Sequence, residues 1–177
     1  MECTKYFIFA YLNEIFVLSI IYVPKKFKEE PMKTAIVFYS RHHGNTKKLL
    51  DAIAEKYPVT LIDATKNPSP DLSGYDAIGF ASGIYYSKYH KSVLKIAENI
   101  PAGKKVFFLH TYGAKKEGYF KSIEAAVSGK QAEILGRYEC FGFNTFGPFK
   151  LIGGIAKGHP DSNEISGAVK FYKQLSK

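Results

Sequence analysis

A three-layer α/β sandwich, a five-stranded parallel sheet with helices on both faces, is the fold class that this 177-residue sequence predicts. Three observations predict it. Short runs rich in Val, Ile, Phe and Ala recur at strand length, and between them lie segments with apolar residues at helical spacing. Glycine, proline and asparagine mark the connections. Strands that alternate with helices form a parallel sheet, because each crossover helix returns the chain to the end of the sheet where the previous strand began.

Thr34–Tyr39 (TAIVFY) is the first strand, and Lys47–Lys56 is a helix whose Leu49, Leu50, Ile53 and Ala54 share one face. Val59–Asp63 and Asp76–Ser82 are the second and third strands, joined through a Pro- and Asn-rich connection. An amphipathic helix over Lys91–Ile100 precedes a strand over Lys105–His110 and a helix over Tyr119–Val127. Ala132–Cys140 is the fifth strand, and Ser162–Leu175 closes the chain as a helix capped by Pro160-Asp161-Ser162. In such a sheet a ligand lies outside the carboxyl ends of the strands at the topological switch point. For the order 2-1-3-4-5 that point falls between the first and third strands.

The turn after the first strand reads Ser40-Arg41-His42-His43-Gly44-Asn45-Thr46. A helix start leaves backbone N–H groups without partners and carries partial positive charge, which suits an anion such as phosphate. Gly44 allows close approach, and Ser40, Asn45 and Thr46 add side-chain donors. The same residue types are ordinary in caps and turns, so a corner without a ligand is the other reading. Neither G-x-G-x-x-G nor G-x-x-x-x-G-K-[ST] is present. His42 and His43 have no third ligand in view, so no metal is expected.

The turn and its neighbours resemble the FMN site of flavodoxins. A strand ending in S/T-x-x-G-N-T ahead of a helix is similar to their phosphate loop, with Gly44, Asn45 and Thr46 matching and Arg41, His42 and His43 replacing small hydroxyl residues. The chain from Met32 to about Lys173 falls in the same order. The resemblance implies a flavodoxin-like fold, FMN as cofactor and a site drawn from three loops: Ser40 to Thr46; Ser82, Gly83, Ile84, Tyr85 and Tyr86; and Thr111, Tyr112 and Gly113. Tyr85 or Tyr86 is the position implied to cover the flavin ring, whereas Tyr89 packs on a helix as readily. After the fourth strand, shuttle flavodoxins have G-D-x-x-Y; here Gly113-Ala114 is followed by Lys115, Lys116 and Glu117. The connection from Gly142 to His159 is long and rich in glycine and aromatic residues, which suits a lid, a docking surface or packing on the last helix.

Composition narrows the function classes. The net charge of +9 lies wholly in residues 32–177, with 21 basic against 12 acidic residues. The lysines fall in ones and twos with no arginine-rich tract, so no nucleic-acid partner is expected. Cys3 and Cys140 are the only cysteines, which fits a reducing, cytoplasmic compartment. Residues 1–31 form an apolar extension. Its run from Tyr6 to Val23 is short of the ~20 residues of a spanning helix and holds Asn13 and Glu14 at its middle, a charge costing about 2.5–3.5 kcal/mol there. Membrane contact is expected only if this extension is made. Met32 opens directly into the first strand, and Lys28-Glu29-Glu30 can be encoded by a ribosome-binding string, so a start at Met32 stands beside a real extension.

An FMN-binding electron carrier with a redox protein or small redox molecule as partner is the leading function. The alternative is an FMN-dependent oxidoreductase of a quinone- or porphyrinogen-type molecule, since Tyr86-Ser87-Lys88-Tyr89-His90 resembles the Y-G-x-Y-H loop of flavodoxin-type protoporphyrinogen oxidases. His90 and His110 are isolated, and no acid–base constellation accompanies them.

Overall fold

A computed structural model describes residues 32–176 in full and, ahead of them, the backbone of two strands, β1 (Tyr6–Leu12) and β2 (Ile15–Ile21). The chain divides into two units, Met1–Pro31 and Met32–Lys177. In the first, β1 and β2 pair antiparallel from Tyr6↔Ile21 to Leu12↔Ile15. The apolar run that raised a spanning helix is therefore strand over these residues, as its aromatic and β-branched content favours. No helix among the described residues is long and apolar enough to cross a membrane. Asn13, Glu14 and Lys28 to Glu30 lie outside the described residues.

The second unit follows the expected alternation. It runs β3 (Thr34–Tyr39), α1 (Asn45–Ala54), β4 (Val59–Asp63), β5 (Ala77–Tyr85), β6 (Lys88–Tyr89), α2 (Lys91–Ala97), β7 (Lys105–Tyr112), α3 (Lys121–Val127), β8 (Glu133–Phe141) and α4 (Ser162–Leu175). The parallel sheet has the order β4-β3-β5-β7-β8, the 2-1-3-4-5 arrangement. A sixth strand is added: β6 folds back antiparallel on β5, with Ile84 opposite Tyr89 and Tyr85 opposite Lys88.

Both faces of the sheet are covered, which is why its central strands are mostly apolar, with the polar Ser82, His110 and Thr111 toward their carboxyl ends. Alternate residues of β3, β5 and β7 point to opposite sides: Val37, Phe80 and Phe108 meet α2 and α3 through Val93, Ile96 and Ile123. Ile36, Phe107 and Leu109 meet α1 and α4 through Leu49, Leu50, Ile53 and Tyr172. Gly79 is small because Phe107 is large; a Cβ there would lie 2.6 Å from the ring. Burying one such phenylalanine contributes about 1.5–3 kcal/mol.

Most boundaries shift by one to three residues from the sequence expectation: α2 stops at Ala97 rather than Ile100, α3 starts at Lys121 rather than Tyr119, β7 runs on through Thr111 and Tyr112, and β8 spans Glu133–Phe141. β5 continues through Gly83, Ile84 and Tyr85, so the expected loop from Gly83 to His90 is the end of a hairpin. Ile84 and Tyr85 are good strand formers, and they outweigh the glycine. The first helix begins at Asn45 rather than Lys47, with Gly44 at φ 64° as its N-cap. α4 holds its expected span, and Asp161 and Glu164 close a capping box around its start.

Candidate functional site

The carboxyl ends of β3, β5, β7 and β8 open onto a cleft of about 210 Å³. Its wall comprises eleven residues expected from the sequence: Ser40, His42, Asn45, Thr46, Gly83, Ile84, Tyr85, Tyr86, Thr111, Tyr112 and Gly113. Four more, Gly142, Phe143, Asn144 and Phe146, come from the connection after β8.

Hydrogen bonds fix the floor. Thr46 at the start of α1 and Thr111 at the end of β7 place their hydroxyls 2.9 Å apart and buried, tying the helix to the sheet. Asn45 donates from Nδ2 to the Phe143 carbonyl at 2.8 Å, which draws the last loop over the first. That bond orients the amide, so Oδ1 is the remaining atom, and it is buried without a partner among the described residues. The Lys47 N–H donates to Ser40 Oγ at 3.0 Å, so the serine closes part of the helix start itself.

Small residues let these loops approach. A Cβ on Gly142 would fall 2.8 Å from Asn45 Nδ2, and one on Gly113 would fall 2.6 Å from Asn144. Gly142 also donates its N–H to the Tyr112 carbonyl at 2.8 Å, joining the β7 and β8 ends.

The aromatic residues divide by task. Tyr89 is core: its hydroxyl donates to the Leu109 carbonyl at 3.1 Å and its ring is buried. Tyr85 is half-buried, lies over Gly83 and packs edge-on against Tyr39 and His90. Burial raises the pKa of its phenol, the more so beside Tyr39, while the Arg41 and His42 amides oppose the rise. Tyr112 is buried against Phe141 and Tyr119, so it forms wall rather than a free ring. Tyr86 is 86% exposed, and Phe146 stands across from it at 5.8 Å between ring centroids.

The remaining expected residues surround the cleft. Arg41, His43 and Gly44 form the outer backbone of the first loop, with His43 Nε2 at 2.8 Å from Thr145 Oγ1 and its ring at 4.4 Å from Phe143. Ser82 is buried below the cleft, where its hydroxyl accepts the His90 N–H at 3.0 Å. His90 caps α2 by accepting the Ser92 N–H, and its ring stacks on Tyr39 at 3.5 Å. Burial, and Lys91 after it, lower the His90 pKa. His110 is buried in an aromatic cage, and desolvation takes its pKa from 6.5 to about 3. Glu139 Oε2 lies 3.1 Å from its Nε2, but off the line of a hydrogen bond, so burial governs.

The four residues missed lie in a connection whose glycines and aromatic residues were visible. What was not visible is that Asn45 Nδ2 and His43 would hold it at Phe143 and Thr145, since those contacts span about a hundred residues of sequence.

Known proteins are similar to this chain in sequence or in fold. An uncharacterised protein of Methanocaldococcus jannaschii is 39% identical over 150 residues, covering 82% of this chain and 99% of its own. The two-electron reduced flavodoxin of Megasphaera elsdenii superposes with a TM-score of 0.52 at 18% identity, covering 77% of this chain and 97% of its own. Rubredoxin:oxygen oxidoreductase of Desulfovibrio gigas gives 0.60 at 14% identity, with 84% of this chain matching 36% of that one. The family model for the flavodoxin domain matches residues 36–142, from within β3 to just past β8, and the chain belongs to that family.

Proposed function

We propose that the domain binds FMN in the cleft between the β3, β5 and β7 ends and serves as an electron carrier. The observation that carries this reading is Asn45 Oδ1, an acceptor buried in a cleft-wall residue with no partner among the described residues. An unmade hydrogen bond at a buried polar atom costs about 1–3 kcal/mol, and a ligand hydroxyl or N–H would supply the donor.

The rest of the site fits the same group. The turn from Ser40 to Thr46 would offer a phosphate the His43, Gly44 and Thr46 amides at the α1 start, those of Asn45 and Lys47 being bonded to the His42 carbonyl and Ser40 Oγ, with Gly44 keeping the backbone open. Tyr86 and Phe146 offer exposed rings to a flat heteroaromatic system. FMN, when bound, supplies one- and two-electron transfer; the protein supplies anchoring, ring cover and electrostatics.

An FMN-dependent oxidoreductase of a quinone- or porphyrinogen-type molecule is the second reading. It needs a group that moves protons near the ligand. His90 is engaged as a cap, His110 is held neutral inside the core, and burial pushes the Cys140 thiol up to about 12. Those states take these three groups out of proton transfer, so the second reading would have to rest on His42 in the cleft wall.

Titration of the flavin-free full chain with FMN, followed by quenching of flavin fluorescence, tests the reading. One equivalent of FMN is expected to bind. Asn45→Ala is expected to weaken binding by about tenfold or more, with the circular dichroism unchanged. Absence of FMN binding to the folded wild-type chain overturns the proposal.

A further inference from the structure

We propose that the loops rimming the cleft dock an acidic electron-transfer protein, seated on the exposed apolar residues of the connection between β8 and α4. This inference rests on the electron-carrier reading above and names the partner class of that same site.

The connection carries the apolar part. Leu151 is 89% exposed and Ile152 71%, and Phe146 on the same stretch is 55% exposed beside Tyr86. Large aliphatic side chains held in water at such levels on one short segment mark an interaction surface rather than core. The segment is ordered by its own bonds. Phe146 donates its N–H to Asn144 Oδ1 at 2.8 Å, Gly154 to the Phe149 carbonyl at 2.7 Å, and Asn144 and Ile155 exchange backbone bonds at 3.0 and 2.9 Å. A pre-ordered patch loses little conformational entropy when a partner covers it.

Charge selects the partner. The loops that follow β3, β7 and β8 hold five cations, Arg41, Lys115, Lys116, Lys150 and Lys157, and Lys88 on β6, just past the hairpin turn after β5, is a sixth. The same loops hold two carboxylates, Glu117 and Asp161, and Asp161 is engaged in capping α4. This sign steers an acidic surface toward the cleft and repels a basic one, and the effect weakens with salt. The exposed apolar residues beside the cations supply the part of the contact that salt does not screen.

The test measures binding, so that it does not depend on the flavin. The full chain is immobilised and probed with a small acidic ferredoxin and with basic cytochrome c, from about 20 to about 300 mM salt. The ferredoxin is expected to bind, with affinity falling about tenfold or more across that range, while cytochrome c does not. Leu151→Ser/Ile152→Ser is expected to weaken ferredoxin binding about fivefold or more at every salt concentration, and Lys88→Glu/Lys150→Glu mainly at low salt. Neither pair is expected to change the FMN titration, whose failure would instead count against the cofactor. Preference for cytochrome c overturns the proposal, as does ferredoxin binding that ignores salt and both variants. So does binding to anionic phosphatidylglycerol vesicles that Leu151→Ser/Ile152→Ser abolishes while ferredoxin binding stays unchanged.

Discussion

His110 shows how one side chain couples the fold to pH. It lies on β7 with no exposed surface, its Nδ1 3.4 Å from the Tyr89 hydroxyl and its ring against Phe120. With a pKa of about 3 in the folded chain and an ordinary value of 6.5, the unfolded state binds the proton more readily between those limits. Above 6.5 both states are neutral and the contribution is complete; as pH falls toward 3 it is lost, at no more than about 1.4 kcal/mol per pH unit. Urea unfolding of the full chain from pH 7 to 4 is expected to show that loss, and His110→Gln is expected to flatten it relative to wild type. Equal slopes in the two proteins would refute this assignment. In sequence, His110 could only be read as isolated, because most of the aromatic rings around it are brought in from elsewhere: Tyr89 from β6, and Tyr119 and Phe120 from the segment that leads into α3. Gly44, Asn45 and Thr46 were legible for the opposite reason, since a helix start sets its requirements within a few residues.

The β5–β6 hairpin carries strain at its tip. Tyr86 and Ser87 both sit at positive φ, 50° and 64°, between the paired residues Tyr85 and Lys88. That is the geometry of a two-residue turn in which asparagine and glycine are favoured, because a Cβ in the left-handed region costs about 1–2 kcal/mol. The turn nevertheless holds Tyr86 out at the cleft mouth, where Phe146 faces it. Ser87→Gly removes one Cβ from this region, with part of the gain offset by the greater freedom of glycine in the unfolded chain. A net gain of about 0.5–1 kcal/mol is expected, which calorimetry would register as a rise in Tm of about 1–4 °C. An unchanged or lower Tm would show that the serine conformation is not strained. The hairpin was hidden in the sequence because its turn lacks the glycine or asparagine that normally announces one. The parallel strands were legible, because burial on both faces leaves continuous apolar runs that polar loops cannot imitate.

Across the molecule, the fold follows from local alternation while the cleft depends on where charge accumulates. Strand order could be anticipated because parallel strands joined by helices admit few arrangements. The connection after β8 could not be placed, since Asn45 and His43 fix it through contacts remote in sequence. The electrostatic consequence belongs to the whole carboxyl edge of the sheet. Lys115 and Lys116 are exposed on the loop after β7, next to the cleft-wall residue Gly113, and Glu117 is the only carboxylate on that loop. Reduction adds negative charge to a flavin, and cations nearby stabilise that charge, though exposure to water screens them. With FMN bound, the potential of the last reduction step is therefore expected to be less negative than in an acidic shuttle flavodoxin. Lys115→Glu/Lys116→Glu is expected to lower it by about 30–60 mV, the latter equal to a tenfold change in a one-electron equilibrium. Spectroelectrochemical titration at low and high salt checks both the sign and the cause. The shift between wild type and variant should shrink as salt rises, because screening acts on the exposed lysines rather than on the buried floor formed by Thr46 and Thr111. A shift that persists undiminished at high salt would mean that the substitutions act through the loop conformation instead of through charge.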